Sequence, residues 1–151
     1  KVWDDLNFTI ADIQDRNIYI TGHSLGGAMA TICAKRLQEE GLNPHSLYTY
    51  GSPRVGDRRW VKTLQVPHYR FQNNNDVVCK VPFWLMGYRH HGKNIYIGYN
   101  GKIVKMNMWR RLLDSMRGRF KAWSKWQFFD GVYDHDITTY AKRVKDVVLG
   151  D

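Results

Sequence analysis

Hydrophobic positions follow two rhythms along this chain. In residues 3–14, Trp3, Leu6, Ile10 and Ile13 recur three and four apart, which puts them on one face of a helix. Asn17-Ile18-Tyr19-Ile20-Thr21 is a short run of β-branched and aromatic residues and predicts a buried strand. It ends in Gly22-His23-Ser24-Leu25-Gly26-Gly27, after which the Ala-rich stretch Ala28 to Glu40 predicts a helix stopped by Gly41. Ser46–Tyr50 and Tyr69–Gln72 predict two further strands, the first leading into Gly51-Ser52-Pro53 and the second into the polar turn Asn73-Asn74-Asn75-Asp76. Strands alternating with helices predict an α/β fold with a mostly parallel sheet and right-handed crossovers.

Further on, Tyr88 to Val104 alternates around Asn100-Gly101, a hairpin signal that places His90 and His91 in a strand. Met106, Trp109, Leu113, Met116, Phe120 and Trp123 give residues 106–126 the pattern of an amphipathic helix, and Ile137 to Leu149 predicts a last helix. No repeat, low-complexity tract or linker interrupts the pattern, so residues 1–151 are expected to form one domain.

Composition narrows the class. With 43% hydrophobic and 25% charged residues over 151 positions, the chain can bury a core, which excludes disorder and coiled coil as its main description. Its net charge of +9 raises nucleic acid or an anionic surface as a partner. The charge is local, however. Between Lys102 and Lys125 eight bases face the single acid Asp114, a net +7. The basic segment 102–126 therefore has three readings. It lies on an anionic membrane or lipid-droplet surface, with Trp109, Phe120 and Trp123 at the acyl boundary and Arg110, Arg111 and Arg117 at head groups; or it covers the core; or it meets a nucleic-acid backbone. The first two account for its aromatic stripe, and no nucleic acid is expected. Two cysteines, Cys33 and Cys79, are too few for a disulfide framework or a zinc site and are expected as free thiols. The residues Lys1 to Asp5 lack the apolar run of a secretory leader, so none is expected here.

The chemistry concentrates at Gly22-His23-Ser24-Leu25-Gly26, a G-x-S-x-G sequence between a predicted strand and a predicted helix. A serine on such a sharp turn is held in a strained conformation with its hydroxyl exposed. Side chains two residues to either side are expected to collide there, which calls for Gly22 and Gly26. The amide of Leu25 is expected to face a substrate oxyanion, helped by the positive end of the helix. A phosphate-binding loop would need a Lys after the glycines, and none follows. The ring of His23 is expected to pack beneath the turn.

A serine needs a base, and the base needs an acid to hold its tautomer. Asp76, at the end of a predicted strand, is the leading acid; Asp57 also follows a strand but reads better as a helix start. Of the downstream histidines, His90 and His91 fall in a predicted strand. His135, in the loop Asp134-His135-Asp136 before the last helix, is the leading base.

Five stretches now stand in order: Gly22–Ala28, Tyr48–Asp57, Arg70–Val78 with Pro82, Tyr88–Gly92, and Asp134-His135 with Tyr140. Together they resemble the class 3 lipases, which are α/β-hydrolases typified by fungal triacylglycerol lipases. The resemblance implies an α/β-hydrolase fold and a serine carboxylic-ester hydrolase acting on lipid esters, with no metal or cofactor. It implies Ser24 as nucleophile, Asp76 as acid and His135 as base; His90 matches a histidine outside the triad, and the Gly-Ser-Pro-Arg-Val-Gly stretch a structural loop. The family carries a longer part before its nucleophile strand, holding a second oxyanion donor and a lid, whereas 23 residues precede Ser24 here. The expectation is a fold lacking that N-terminal part. Its rival is a catalytically impaired remnant that binds lipid or a partner.

Overall fold

A computed structural model of the chain describes Trp3, residues 16–104 and residues 134–149. In chain order these form β1 (Tyr19–His23), α1 (Leu25–Glu39), β2 (Ser46–Tyr50), the short β3 (Gly56–Asp57), α2 (Arg58–Thr63), β4 (His68–Asn73), the short β5 (Tyr88–Arg89), β6 (Lys93–Ile97) and α3 (Ile137–Leu149). Single 3-10 turns lie at Val78–Lys80 and Trp84–Met86.

β1, β2, β4 and β6 pair in that order as a parallel sheet. α1 joins β1 to β2, and α2 lies between β2 and β4, as the alternating pattern requires of parallel neighbours. The small side chains of Ala30 and Ala34 let α1 approach the sheet closely. They pack with Leu47, Leu64 and Val66 as a buried core, against which Ile20 rests. Burying a leucine such as Leu47 fully contributes about 2 kcal/mol relative to leaving it in water. Cross-strand aromatic pairs, Tyr48 with Tyr69 at 5.3 Å and Tyr50 with Phe71 at 5.0 Å between ring centres, tie β2 to β4.

The register decides where the site lies. His23 stands opposite Tyr50, Tyr50 opposite Phe71, and Asn73 opposite Ile97. Backbone bonds continue one residue past the strand ends: Ser24 N–H donates to Tyr50 O at 3.0 Å, Gly51 N–H to Phe71 O at 3.0 Å and Asn74 N–H to Ile97 O at 2.7 Å. The ends of β1 and β2 are thereby aligned, with β4 running two residues further to Asn73, at the carboxyl edge of the sheet, where open α/β sheets bind ligands.

Local signals match their predicted elements. Gly41, at φ +83°, follows α1, and Leu42 N–H donates back to Leu37 O at 2.9 Å, the helix-ending bond a left-handed residue permits. Asp57 caps α2, its carboxylate accepting from Trp60 N–H at 2.7 Å, which leaves it a helix start rather than an acid for the base.

Two expectations are corrected. The alternation over 88–104 is not one hairpin. Tyr88–Arg89 pairs antiparallel with β3, while Lys93–Ile97 joins the parallel sheet beside β4. His90 and His91 fall between these strands, because Gly92 turns the chain at φ +78° where a Cβ would lie 2.5 Å from the Cβ of His68. Around Asn100-Gly101 the hairpin is reduced to a single antiparallel bridge between Ile97 and Ile103. The helices expected over 3–14 and 106–126 lie outside the described residues, except Trp3, whose indole N–H donates to Glu40 at 2.9 Å. Among the described residues no helix is long and apolar enough to cross a membrane.

His68 is buried between β2 and the turn before β6. Its Nε2 bonds with the Thr49 hydroxyl at 2.9 Å, and its Nδ1 lies 3.2 Å from Nδ1 of His91. One of those facing nitrogens must accept, so at least one ring of the pair is uncharged. Burial, the nearby Arg70 and His91 push the His68 pKa down to about 3; burial lowers that of His91 as well. The unfolded chain takes up these protons below about pH 6.5, whereas folded His68 resists until about pH 3, so stability falls as pH drops through that window. The unfolding free energy from urea titrations is expected to decline from pH 7.5 to pH 5, approaching at most about 1.4 kcal/mol per pH unit per histidine below about pH 6.5. His68→Gln is expected to flatten the decline, and a slope unchanged by that substitution would assign it to other groups.

Candidate active site

Ser24 sits between β1 and α1 at φ 57°, ψ −129°, a positive φ that costs a non-glycine residue of the order of 1–3 kcal/mol. The surroundings hold it there. Its N–H is tied to β2, and its carbonyl accepts from Gly27 N–H at 2.9 Å and Ala28 N–H at 3.3 Å. The turn brings α1 so close to β1 that a Cβ on Gly22 would lie 2.3 Å from Gly26 O. Gly27 is equally constrained, since its Cβ would lie 2.8 Å from that of Ser52. Gly26 differs from expectation: a Cβ there meets nothing within 4 Å. The crowding at Gly26 is carried by its backbone, and its missing side chain points into open space.

The Ser24 Oγ lies 2.7 Å from His135 Nε2, and His135 Nδ1 lies 3.0 and 3.1 Å from the two carboxylate oxygens of Asp76. Three residues spread over the sequence are thus joined in one chain of hydrogen bonds. With Nδ1–H given to Asp76, Nε2 is left to accept the serine proton. Asp76 is fully buried. Its Oδ1 also accepts from Val78 N–H at 2.8 Å, and its Oδ2 from the Tyr140 hydroxyl at 2.6 Å and the Cys79 thiol at 3.6 Å. All these neighbours are donors. Burial pushes the Cys79 thiol up to about 12, helped by the adjacent Asp76 charge, and raises Tyr140 well above the usual phenol range, so both keep the protons they donate.

Leu25 is the first residue of α1, and its N–H is among those a helix leaves without an intrahelical acceptor. It directly follows Ser24, the place expected of an oxyanion donor. His135 stands just before α3, whose N-terminus is capped by Asp136, its carboxylate accepting from Thr139 N–H at 3.0 Å. Acceptance of bonds from Thr138 and Thr139 holds the Asp136 carboxyl below its usual range.

Three residues gain importance that their sequence positions did not disclose. His23 does not pack beneath the turn. Its ring stacks on His135 at 4.8 Å between centres, and its Nε2–H donates to the His135 carbonyl at 2.8 Å. Gly51, at φ +59°, passes so close that a Cβ would lie 2.7 Å from Asp76 Oδ2 and 2.9 Å from His135 Nδ1. Tyr140, noted only as part of a motif, donates its hydroxyl to Asp76 from the first turn of α3, its own N–H donating to Asp136 O at 3.1 Å. His90 donates through Nε2 to the Cys79 carbonyl at 2.8 Å. Among the described residues no group of His, Cys, Asp and Glu is arranged to hold a metal ion. Trp109, Arg110, Arg111, Arg117, Phe120 and Trp123 lie outside the described residues.

Comparison with known proteins gives consistent neighbours. The sequence model of the family described as Lipase (class 3) matches residues 1–86. The secreted mono- and diacylglycerol lipase A of Penicillium cyclopium is 38% identical over 95 residues, covering 62% of this chain and 31% of that protein. The solved Rhizomucor miehei triacylglyceride lipase superposes with a TM-score of 0.59 at 36% identity, over 64% of this chain and 40% of the other. A triacylglycerol lipase whose catalytic centre is formed by a serine protease triad gives a TM-score of 0.58 at 36% identity, over 64% of this chain and 40% of that one. The fold is that of the α/β-hydrolases, in part: the matched region covers only 31% to 40% of the length of the relatives named above.

The glycine geometry separates two substitutions that sequence spacing treats alike. Gly22→Ala is expected to cost about 3 kcal/mol or more, because backbone on both sides has to give. Gly26→Ala is expected to melt like the parent. Equal melting temperatures for the two variants would contradict this reading of the turn.

Proposed function

The chain belongs to the class 3 lipase family, and from that membership we propose that it is a lipase-type carboxylic-ester hydrolase acting on acylglycerol or related lipid esters through Ser24, His135 and Asp76. The observation that carries the reading is the continuous relay of Ser24 Oγ at 2.7 Å from one imidazole nitrogen of His135 and Asp76 at 3.0 Å from the other. Relatives that include a mono- and diacylglycerol lipase and a triacylglyceride lipase support the substrate class.

In this mechanism Ser24 Oγ attacks the ester carbonyl carbon while His135 Nε2 takes its proton. The carbonyl oxygen gains charge and is met by the N–H of Leu25 at the positive end of α1. Collapse of the tetrahedral intermediate breaks the bond to the alkoxy oxygen. His135 returns the proton to the leaving alcohol, and the acyl group remains on Ser24. Water, deprotonated by the same nitrogen, then attacks the acyl carbon; the bond to Ser24 Oγ breaks, His135 returns the proton to that oxygen, and the fatty acid leaves. Asp76 holds Nδ1–H throughout, so the imidazole keeps the required tautomer and orientation, and its positive charge is balanced as it forms. The strain at Ser24 is a cost of keeping the hydroxyl in line with Nε2.

The setting we propose is an anionic lipid surface, met by the basic segment 102–126 on the strength of its aromatic stripe and concentrated charge. Sedimentation with vesicles tests it. Binding to phosphatidylglycerol-containing vesicles is expected to exceed binding to pure phosphatidylcholine and to weaken with salt. Equal binding to both would count against an electrostatic role.

For the chemistry, a fluorophosphonate probe is expected to label Ser24 and hydrolysis of short p-nitrophenyl esters to be lost with Ser24→Ala. His135→Ala is expected to lower the rate by about 10⁴-fold or more, and His90→Ala to leave it near the parent's. Labelling of Ser24→Ala at the parental rate would refute the assignment. A parent that binds lipid but turns over no ester would favour a binding protein instead.

A further inference from the structure

His135 reaches Ser24 and Asp76 from a short turn, and something has to fix that turn as well as the ring. The residue next to it, Asp134, is 2% exposed, nearly as buried as Asp76 itself. Its carboxylate does not serve the imidazole. Oδ2 accepts from the Asn74 side-chain amide at 2.9 Å and from Asn75 N–H at 3.1 Å, and Oδ1 lies 3.5 Å from the Asn73 amide. The Asn73 amide also donates to the Asp134 carbonyl at 2.8 Å. Arg143, two turns into α3, stands 3.8 Å from Asp134 Oδ1, and its guanidinium also bonds Asn73 Oδ1 and, at 3.2 Å, Gly98 O. The three residues that precede Asp76 are therefore fastened to the one residue that precedes His135. Two turns distant in sequence run side by side, and the acid–base bond is the last rung between them.

The chemistry of this contact points to position rather than stability. Burying a second carboxylate and a guanidinium costs desolvation, and apolar side chains of similar volume often stabilise a core as well or better. What charge-assisted bonds supply is direction. The turn has accepted strain to make them: Asn74 is held at φ 36°, a left-handed conformation that asparagine tolerates better than most residues and that aims its amide at Asp134. Asp136, on the other side of His135, is exposed and capping, so the two flanking acids have separate tasks.

We propose that Asp134 is a positioning residue for the proposed hydrolysis: clamped by Asn73, Asn74, Asn75 and Arg143, it sets the distance and angle at which His135 meets Asp76 and Ser24. This rests on the ester-hydrolase reading for its kinetic consequence but not for its geometric one. Asp134→Asn keeps the shape and turns one accepting oxygen into a donor among donors. Displacing reacting groups by about 1 Å costs up to roughly a hundredfold in rate, so kcat is expected to fall about ten- to a hundredfold with KM within about twofold. The rate of fluorophosphonate labelling should fall in parallel, while its end point stays at that of the parent, because the serine and its pocket are intact. Asn74→Gly keeps the left-handed turn and removes the amide that donates to Asp134, together with the Oδ1 that accepts from the Tyr96 hydroxyl at 3.4 Å; a smaller loss of the same kind is expected from it, and it serves if Asp134→Asn does not fold.

A lower melting temperature with parental kcat and labelling rate per folded molecule would mean that Asp134 is only structural, and would overturn the proposal. The low-field proton NMR signal of the His135–Asp76 hydrogen bond gives a readout independent of turnover. It should shift or vanish in Asp134→Asn and Asn74→Gly and persist in His90→Ala. If the parent turns over no ester but this signal responds as stated, the function reading fails and the clamp stands. A signal unmoved by both variants refutes the clamp.

Discussion

One imidazole has to satisfy a serine 111 residues before it and an aspartate 59 residues before it at the same time. Each contact tolerates only a few tenths of an ångström, so the fold must deliver three backbone segments to a common edge with little play. The parallel register does most of this. Because His23, Tyr50 and Phe71 lie across from one another in successive strands, β1 and β2 finish level and β4 runs two residues further, to Asn73. Ser24, Gly51 and the Asn-rich turn emerge next to each other by consequence. The remaining freedom belongs to His135, which comes from outside the sheet. It is removed by the stacked His23, by the Asp134 clamp and by Tyr140, which links Asn73 N–H at 2.9 Å to the Asp76 carboxylate.

Close approach at this edge is allowed by absent side chains. Gly22, Gly27 and Gly51 each stand where a Cβ would fall within 3 Å of another group: Gly22 against the turn itself, Gly27 against Ser52 after β2, and Gly51 against Asp76 and His135. The strain at Ser24 can persist because tight packing and its three backbone bonds over-determine it. The site is thus a small region of conflict between local preference and global fold, enclosed by β1, α1, β2 and β4, whose own sequences agree with their structure.

That contrast explains what could be read in advance. β1, α1, β2, β4 and α3 follow from periodicity and breakers, since those patterns are set by burial along a single element. The order of serine, acid and base follows from where each sits relative to a strand end. Contacts between distant segments are a different matter. The sequence Asp134-His135-Asp136 is symmetric about its histidine, and only the packing of α3 reveals that one acid is buried and the other exposed. His23 looks like an incidental residue of the turn until the chain returns 112 residues later to place a carbonyl against it. Gly26 and Gly22 share a motif but not a reason. The split of the 88–104 alternation between two sheets depended on β3 offering a partner to Tyr88–Arg89, which no local pattern encodes. The charge excess follows the opposite course, plain in the sequence and lying for the most part outside the described residues.

The central claim is that Ser24 and His135 act as one unit, and a double-mutant cycle addresses it most directly. With kcat/KM measured on a soluble short-chain ester for the parent, Ser24→Ala, His135→Ala and the double variant, a working pair requires the double variant to be no slower than either single variant. Losses that instead multiply, each substitution costing its full factor in the presence of the other, would contradict the claim.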